Sequence, residues 1–167
     1  MALVMSDSSA LIHLASINRI PLLKQLFDRL LLPPAVWQEV VAQGGGRAGV
    51  KEVKQAQQAG WIEVVTPANM LVLQLLKREL DDGEAEVIAL ALERRAHLIL
   101  MDESEGRRVA EVYGLSKTGT LGLLIRAKQA GYIPSLKTEL DNLLQQGHFW
   151  IKDSFSAAAL RAVGEDR

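Results

Sequence analysis

Four acids stand where apolar segments end or turn: Asp7, Glu39, Glu84 and Asp102. The run Leu98-Ile99-Leu100-Met101 stops at Asp102-Glu103, and Ala2-Leu3-Val4-Met5-Ser6 stops at Asp7. An uninterrupted apolar run of this length reads as a strand buried on both faces, the kind found in a parallel sheet under helices. Open α/β folds place their ligands at the carboxyl ends of such strands. If the two strands are neighbours, so are the two aspartates. Repulsion would then keep a proton on one of them near neutral pH. A divalent cation is the natural solution. Mg²⁺ or Mn²⁺ takes hard oxygen ligands and is commonly held by a few carboxylates plus substrate phosphate. Such a site can activate water for in-line attack on a phosphodiester and stabilise the leaving oxygen. With no cysteine and three scattered histidines, zinc is a poor match.

Each acid also has a plainer reading. Asp7 and the Asp102-Glu103 pair could cap the helices that follow them. Glu84 could be a first-turn acid at the positive end of a helix, and Glu39 a solvated helix residue. Only the four together point to a site. The residues around them divide in the same way. Ser8 either meets a phosphate or metal-bound water, or caps the first helix. Thr118 and Thr120 flank Gly119 at a helix start, where backbone N–H groups can cradle a phosphate or simply be capped. Arg107 and Arg108 could bring a phosphate backbone to the metal. Both cannot face it equally, because a helix turns ~100° per residue. Arg126 and Lys128 are weaker candidates. His13, among apolar neighbours, reads as structural, and His97 and His148 as surface residues. Trp37 and Trp61 read as packing residues, while Trp150 could pack the last helix or face a partner.

The elements that must position these residues alternate. Strands are expected at 2–6, 30–32, 61–65 and 98–101, with a short edge strand at 115–117. Helices are expected at 10–15, capped by Ser8, then at 21–29, from 34 or 35 to the Gly44-Gly45-Gly46 triplet, and at 50–59, 69–80, 84–95 and 104–113. Another leads from Thr120 to Gly131, and two more follow at 136–146 and 153–163. Strand–helix alternation implies a parallel sheet with helices on both faces. The triplet reads as a loop or as the lip of a site. After Gly131, Leu136, Leu140, Leu143 and Leu144 could cover the sheet or contact a partner.

Composition sets outer limits. At 167 residues, 49% of them hydrophobic, the chain can bury one sizeable core, and one domain over 1–167 is expected, with 131–167 as its helical C-terminal extension. Basic and acidic residues nearly balance, for a net charge of −1. Any nucleic-acid contact must therefore use a local patch. The lack of cysteine fits a cytoplasmic protein. No apolar run nears the ~20 residues of a membrane span.

The ordered acids and the segments around them resemble the PIN-domain family of metal-dependent ribonucleases, which includes the VapC toxins of toxin–antitoxin pairs. Val4-Met5-Ser6-Asp7-Ser8-Ser9 looks like the family's opening strand and aspartate. Pro33-Pro34-Ala35-Val36-Trp37-Gln38-Glu39-Val40 looks like the segment whose helix presents a glutamate. Gly83-Glu84-Ala85-Glu86-Val87 looks like the helix that begins with the third acid, and Leu98 to Asp102 like the strand bearing the fourth. Thr118-Gly119-Thr120-Leu121-Gly122 is similar to an uncharacterised PIN-like branch described as nucleic-acid-binding. The toxins usually carry aspartate where this chain has Glu84. They often carry a further acid after the fourth, for which Glu103 or Glu105 could serve.

The resemblance implies a three-layer α/β/α fold with a mostly parallel sheet of about four or five short strands. It implies an endoribonuclease using Mg²⁺ or Mn²⁺, with Asp7, Glu84 and Asp102 holding the metal and Glu39 completing the cluster or orienting water. It also implies RNA as substrate, a homodimer and a small antitoxin partner. The alternative is a catalytically weak or inactive PIN-like module that binds nucleic acid or protein.

Overall fold

A computed structural model of the chain describes residues 2–47, 49–146 and 149–166. His148, expected at the surface, lies outside them. Five short strands form one sheet: β1 (Val4–Ser6), β2 (Leu30–Leu32), β3 (Ile62–Val64), β4 (Leu98–Leu100) and β5 (Lys117–Thr118). Their order is β3-β2-β1-β4-β5, and every pairing is parallel. β1 and β4 are therefore adjacent and central. Val4 pairs with Leu98, Met5 with Ile99 and Ser6 with Leu100. All three residues of β1, β2 and β4 are buried, as expected of a sheet covered on both faces. Lys117 and Thr118 place the edge strand two residues later than the apolar Leu115 suggested.

Parallel strands need crossovers, and helices supply them. The helices are α1 (Ser8–Ser16), α2 (Pro21–Phe27), α3 (Pro34–Trp37), α4 (Val50–Ala59), α5 (Met70–Leu76), α6 (Asp82–Arg94), α7 (Ser104–Val112), α8 (Thr120–Gln129), α9 (Leu136–Gln146) and α10 (Asp153–Ala162). α6 packs against α3, α5, α7 and β1, while α8 packs against α1, α2, α9 and α10. The result is three layers, α/β/α. One cluster of buried apolar side chains runs from Val4 to Ala159. In α9, Leu136, Leu140 and Leu143 join it, and Leu144 remains exposed. Among the described residues, no helix is long and apolar enough to cross a membrane.

Three local features differ from expectation, and each bears on the acids. Ser8 does not cap α1. Asp7 does, with extended backbone and Oδ1 accepting from Ala10 N at 2.9 Å, so the helix starts two residues early. The helix carrying Glu39 is not uniform: α3 runs into a π-helical turn at Gln38–Ala42. Such turns widen a helix locally and are frequent at functional sites. α5 stops at Leu76, four residues short, where the chain passes into tighter turns (Arg78 N to Leu75 O, Glu79 N to Leu76 O), and Asp81 then caps α6 by accepting from Glu84 N at 2.8 Å.

Candidate active site

The central pairing of β1 with β4 brings the two aspartates together. Asp7 follows the last residue of β1, and its N–H donates to Leu100 O at 2.9 Å, continuing the ladder by one step. Its carboxylate then reaches across, with Oδ2 accepting from Asp102 N at 3.1 Å. Asp7 is only 2% exposed. Burial pushes its carboxyl up to about 7; Asp102 and Glu103 add to the rise, against hydrogen bonds from Ala10 and Asp102 N–H. The shift expected from two neighbouring carboxylates is thus present, with desolvation as its main cause.

Asp102 takes the opposite course. Its Oδ1 accepts from Thr120 N at 2.7 Å, and its Oδ2 accepts from Thr120 Oγ1 at 2.5 Å and lies 2.6 Å from His13 Nδ1. Burial alone would raise this carboxyl. The bonds from His13 and Thr120 outweigh burial and hold it below the usual carboxylate range. The start of α8 thus serves an acid of this chain directly. The His13 contact has no local sequence signal, since it joins positions 89 residues apart.

Glu84 lies in the first turn of α6 and is 8% exposed. Burial, then Asp81, Glu103 and Asp7, push its carboxyl up to about 8. Its Oε2 is buried with no hydrogen-bond partner. A Cβ on Gly106 of α7 would sit 2.6 Å from that oxygen and 2.3 Å from Met101 Sδ, so any larger residue there would push the Glu84 carboxylate and the Met101 thioether aside. Gly119 does the same for Asp102, where a Cβ would lie 2.7 Å from Oδ1. Glu39, on the π-helical turn, accepts from Ser8 Oγ through Oε2 at 2.6 Å. Its Oε1 faces Gly83 at the start of α6.

The remaining candidates separate cleanly. Arg107 turns inward and donates to Met101 O at 2.9 Å. Arg108 turns out to Glu105 and Glu79. Glu103 accepts from Ser9 Oγ at 2.8 Å and bears on both Asp7 and Glu84, whereas Glu105 pairs with Arg108. Thr118 ends β5 half-buried, and its carbonyl accepts from Met101 N at 2.9 Å. Glu86 is bonded elsewhere, to Ala35 N. Arg126 is exposed, and Lys128 donates to Pro134 O. Trp37 and Trp61 pack partly buried against the core. His97 is exposed and accepts from Leu3 N.

Hard carboxylate oxygens, two of the acids holding protons near neutrality and one buried orphan oxygen fit a hard divalent cation in donor chemistry. As placed, no three or more acid or histidine side chains converge as a ready cluster among the described residues.

A family model described as a PIN domain matches residues 3–165. The chain belongs to the PIN-domain family. PIN domains are a nuclease-type fold, commonly found in hydrolases that act on nucleic acid and generally use divalent metals. No curated protein matches the chain. Within the PIN fold of this chain, Asp7 and Asp102 stand at the carboxyl ends of the two central strands, where a parallel sheet presents its ligands.

Proposed function

We propose that this PIN-domain protein is a divalent-metal-dependent endoribonuclease of VapC type, the toxin of a toxin–antitoxin pair. The observation that carries the reading is the unpartnered, buried Glu84 Oε2 beside Asp7, both carboxyls held protonated in part near neutrality. That arrangement is costly for a protein unless something replaces the protons. Asp7, Glu84 and Asp102 would hold the ion. When bound, Mg²⁺ or Mn²⁺ supplies charge neutralisation, polarisation of water for attack on phosphorus and stabilisation of the departing oxygen.

The chain's own groups do the rest. The Thr120 N–H and hydroxyl and His13 hold Asp102 in a fixed orientation. The Ser8 hydroxyl holds Glu39 through Oε2 and leaves Oε1 to orient a water. Arg107, which turns inward and donates to Met101 O, would meet a phosphate oxygen with its remaining N–H groups. Glu103 completes the acid field. A homodimer and an antitoxin lying over the cleft belong to the same reading. A second reading, a PIN-like module that binds without cutting, draws on one observation: Asp102 already accepts three hydrogen bonds.

The test is cleavage of single-stranded RNA by pure protein in Mg²⁺ or Mn²⁺ against EDTA, beside Asp7→Ala and Asp102→Ala. Metal-dependent cleavage lost in both variants is expected, at a cost of at least a hundredfold in rate. Unchanged metal-dependent cleavage by the variants sinks the assignment. Tight RNA binding without cleavage in any divalent metal replaces it with the second reading.

A further inference from the structure

At Phe149, before α10, the chain passes the acid site. Phe149 meets His13 edge-on, ring centroids 4.8 Å apart and planes at 77°, and His13 in turn contacts Asp102. From there burial alternates. Phe149 and Ile151 pack partly buried against the core, while Trp150 and Lys152 point out. Alternation of this period is that of extended chain. Trp150 is 75% exposed, an unusual state for so large an aromatic. Lys152 Nζ lies 5.9 Å from the ring centre of Phe155, itself 59% exposed in the first turn of α10. The exposed Trp150 thus stands one residue from the ring that abuts the site, and the Lys152 ammonium and the exposed Phe155 follow it in the chain.

This combination differs from the exposed aliphatic face of α5. Met70, Leu71 and Leu75 of α5 are exposed and aliphatic. An aliphatic face suits another protein. Aromatic faces beside a cation suit a strand that offers bases and phosphates together.

We propose that Trp150, with Lys152 and Phe155, is a stacking platform for single-stranded RNA that leads into the acid site. The proposal rests on the nuclease reading for the direction of the strand. An unpaired base lies flat on the Trp150 indole, and Lys152 meets a neighbouring phosphate. A duplex, whose bases already stack on one another, gains nothing from the indole. The contact is tolerant of sequence, because every base has a π-face.

Fluorescence anisotropy with a labelled single strand of roughly a dozen nucleotides of RNA, in EDTA so that nothing is cut, tests this directly. The parent protein is compared with Trp150→Ala, Trp150→Phe and Lys152→Ala, and each with the same RNA as a duplex. Trp150→Ala is expected to weaken single-strand binding about 5- to 150-fold, as loss of one stacked base does. Trp150→Phe should stay within about threefold of the parent, and duplex binding should not change. Lys152→Ala should lower the slope of log affinity against log salt by about 0.7, one phosphate contact on a single strand.

Single-strand affinity unchanged in Trp150→Ala overturns the proposal, as does no binding by the parent. So does equal weakening by alanine and phenylalanine. Dissociation of a dimer by Trp150→Ala in sedimentation, at unchanged RNA affinity, overturns it in favour of a protein interface. Failure here and failure of the nuclease reading remain distinguishable. A protein that cleaves RNA but ignores Trp150 keeps its nuclease assignment. One that binds through Trp150 and cuts nothing keeps its platform.

Discussion

Two neighbouring aspartates have opposite protonation habits, Asp7 through burial and Asp102 through its hydrogen bonds. Asp102 receives three donors and stays ionised; Asp7 receives two backbone donors in a drier place and rises to about 7. The consequence for stability has a definite sign. Asp7 goes from 3.8 in the unfolded chain to about 7 in the folded one, and Glu84 from 4.5 to about 8. Between those limits the folded state binds more protons than the unfolded state, so stability falls as pH rises. The metal-free protein should therefore melt at higher temperature at pH 5 than at pH 8, and most of the change should lie between pH 4 and pH 8. Asp7→Asn should flatten the slope. A melting temperature that rises over that window in EDTA rules the account out.

At the scale of elements, the segments that position the acids were readable before any coordinates, and the side-chain bonds were not. β1, β4 and α6 follow from apolar runs and turn residues that act locally, as in Leu98–Leu100 and Asp81-Asp82-Gly83. The adjacency of β1 and β4 stood in the sequence only as a condition, since burial of both strands does not say which strands pair; the sheet supplies it. The sequence offers both Asp7 and Ser8 as the cap of α1, because both residue types cap, and only backbone geometry decides for Asp7. The π-helical turn under Glu39 and the His13 bond to Asp102 left no periodic trace, since each depends on packing against a distant element.

One further long-range bond was equally hidden. Arg19, after α1, donates to Glu139 of α9 through Nε at 3.0 Å and Nη2 at 2.5 Å. Glu139 is 2% exposed, so removing its partner strands a buried charge. Arg19→Ala should cost about 3 kcal/mol, or about 6–12 °C in melting temperature. Denaturant melts measure it, and a loss under ~0.5 kcal/mol would show that α9 does not depend on this bond.

For the whole molecule, ion binding and folding are one equilibrium. An ion that binds only the folded chain stabilises it by about 2.7 kcal/mol at a hundred times its dissociation constant. Mn²⁺ at pH 8 should then raise the melting temperature by about 5–11 °C. The rise should shrink at pH 6, where protons compete for Asp7 and Glu84. Asp102→Asn should lose most of it. Calorimetric scans with and without Mn²⁺ decide the matter, and an equal rise in Asp102→Asn would place the ion elsewhere on the protein.

The parallel pairing of β1 with β4 also sets a clock. Asp7 and Asp102 are 95 residues apart in the chain, and neither β1 nor α6 alone brings them together. A ribosome making about 5–20 residues per second needs roughly 5–20 s between them. Throughout that interval the emerging chain carries its first aspartate without the second. Thr120, which holds the second, comes later still. A nascent chain, or one cut short before β4, therefore has no assembled acid centre near the messenger that encodes it.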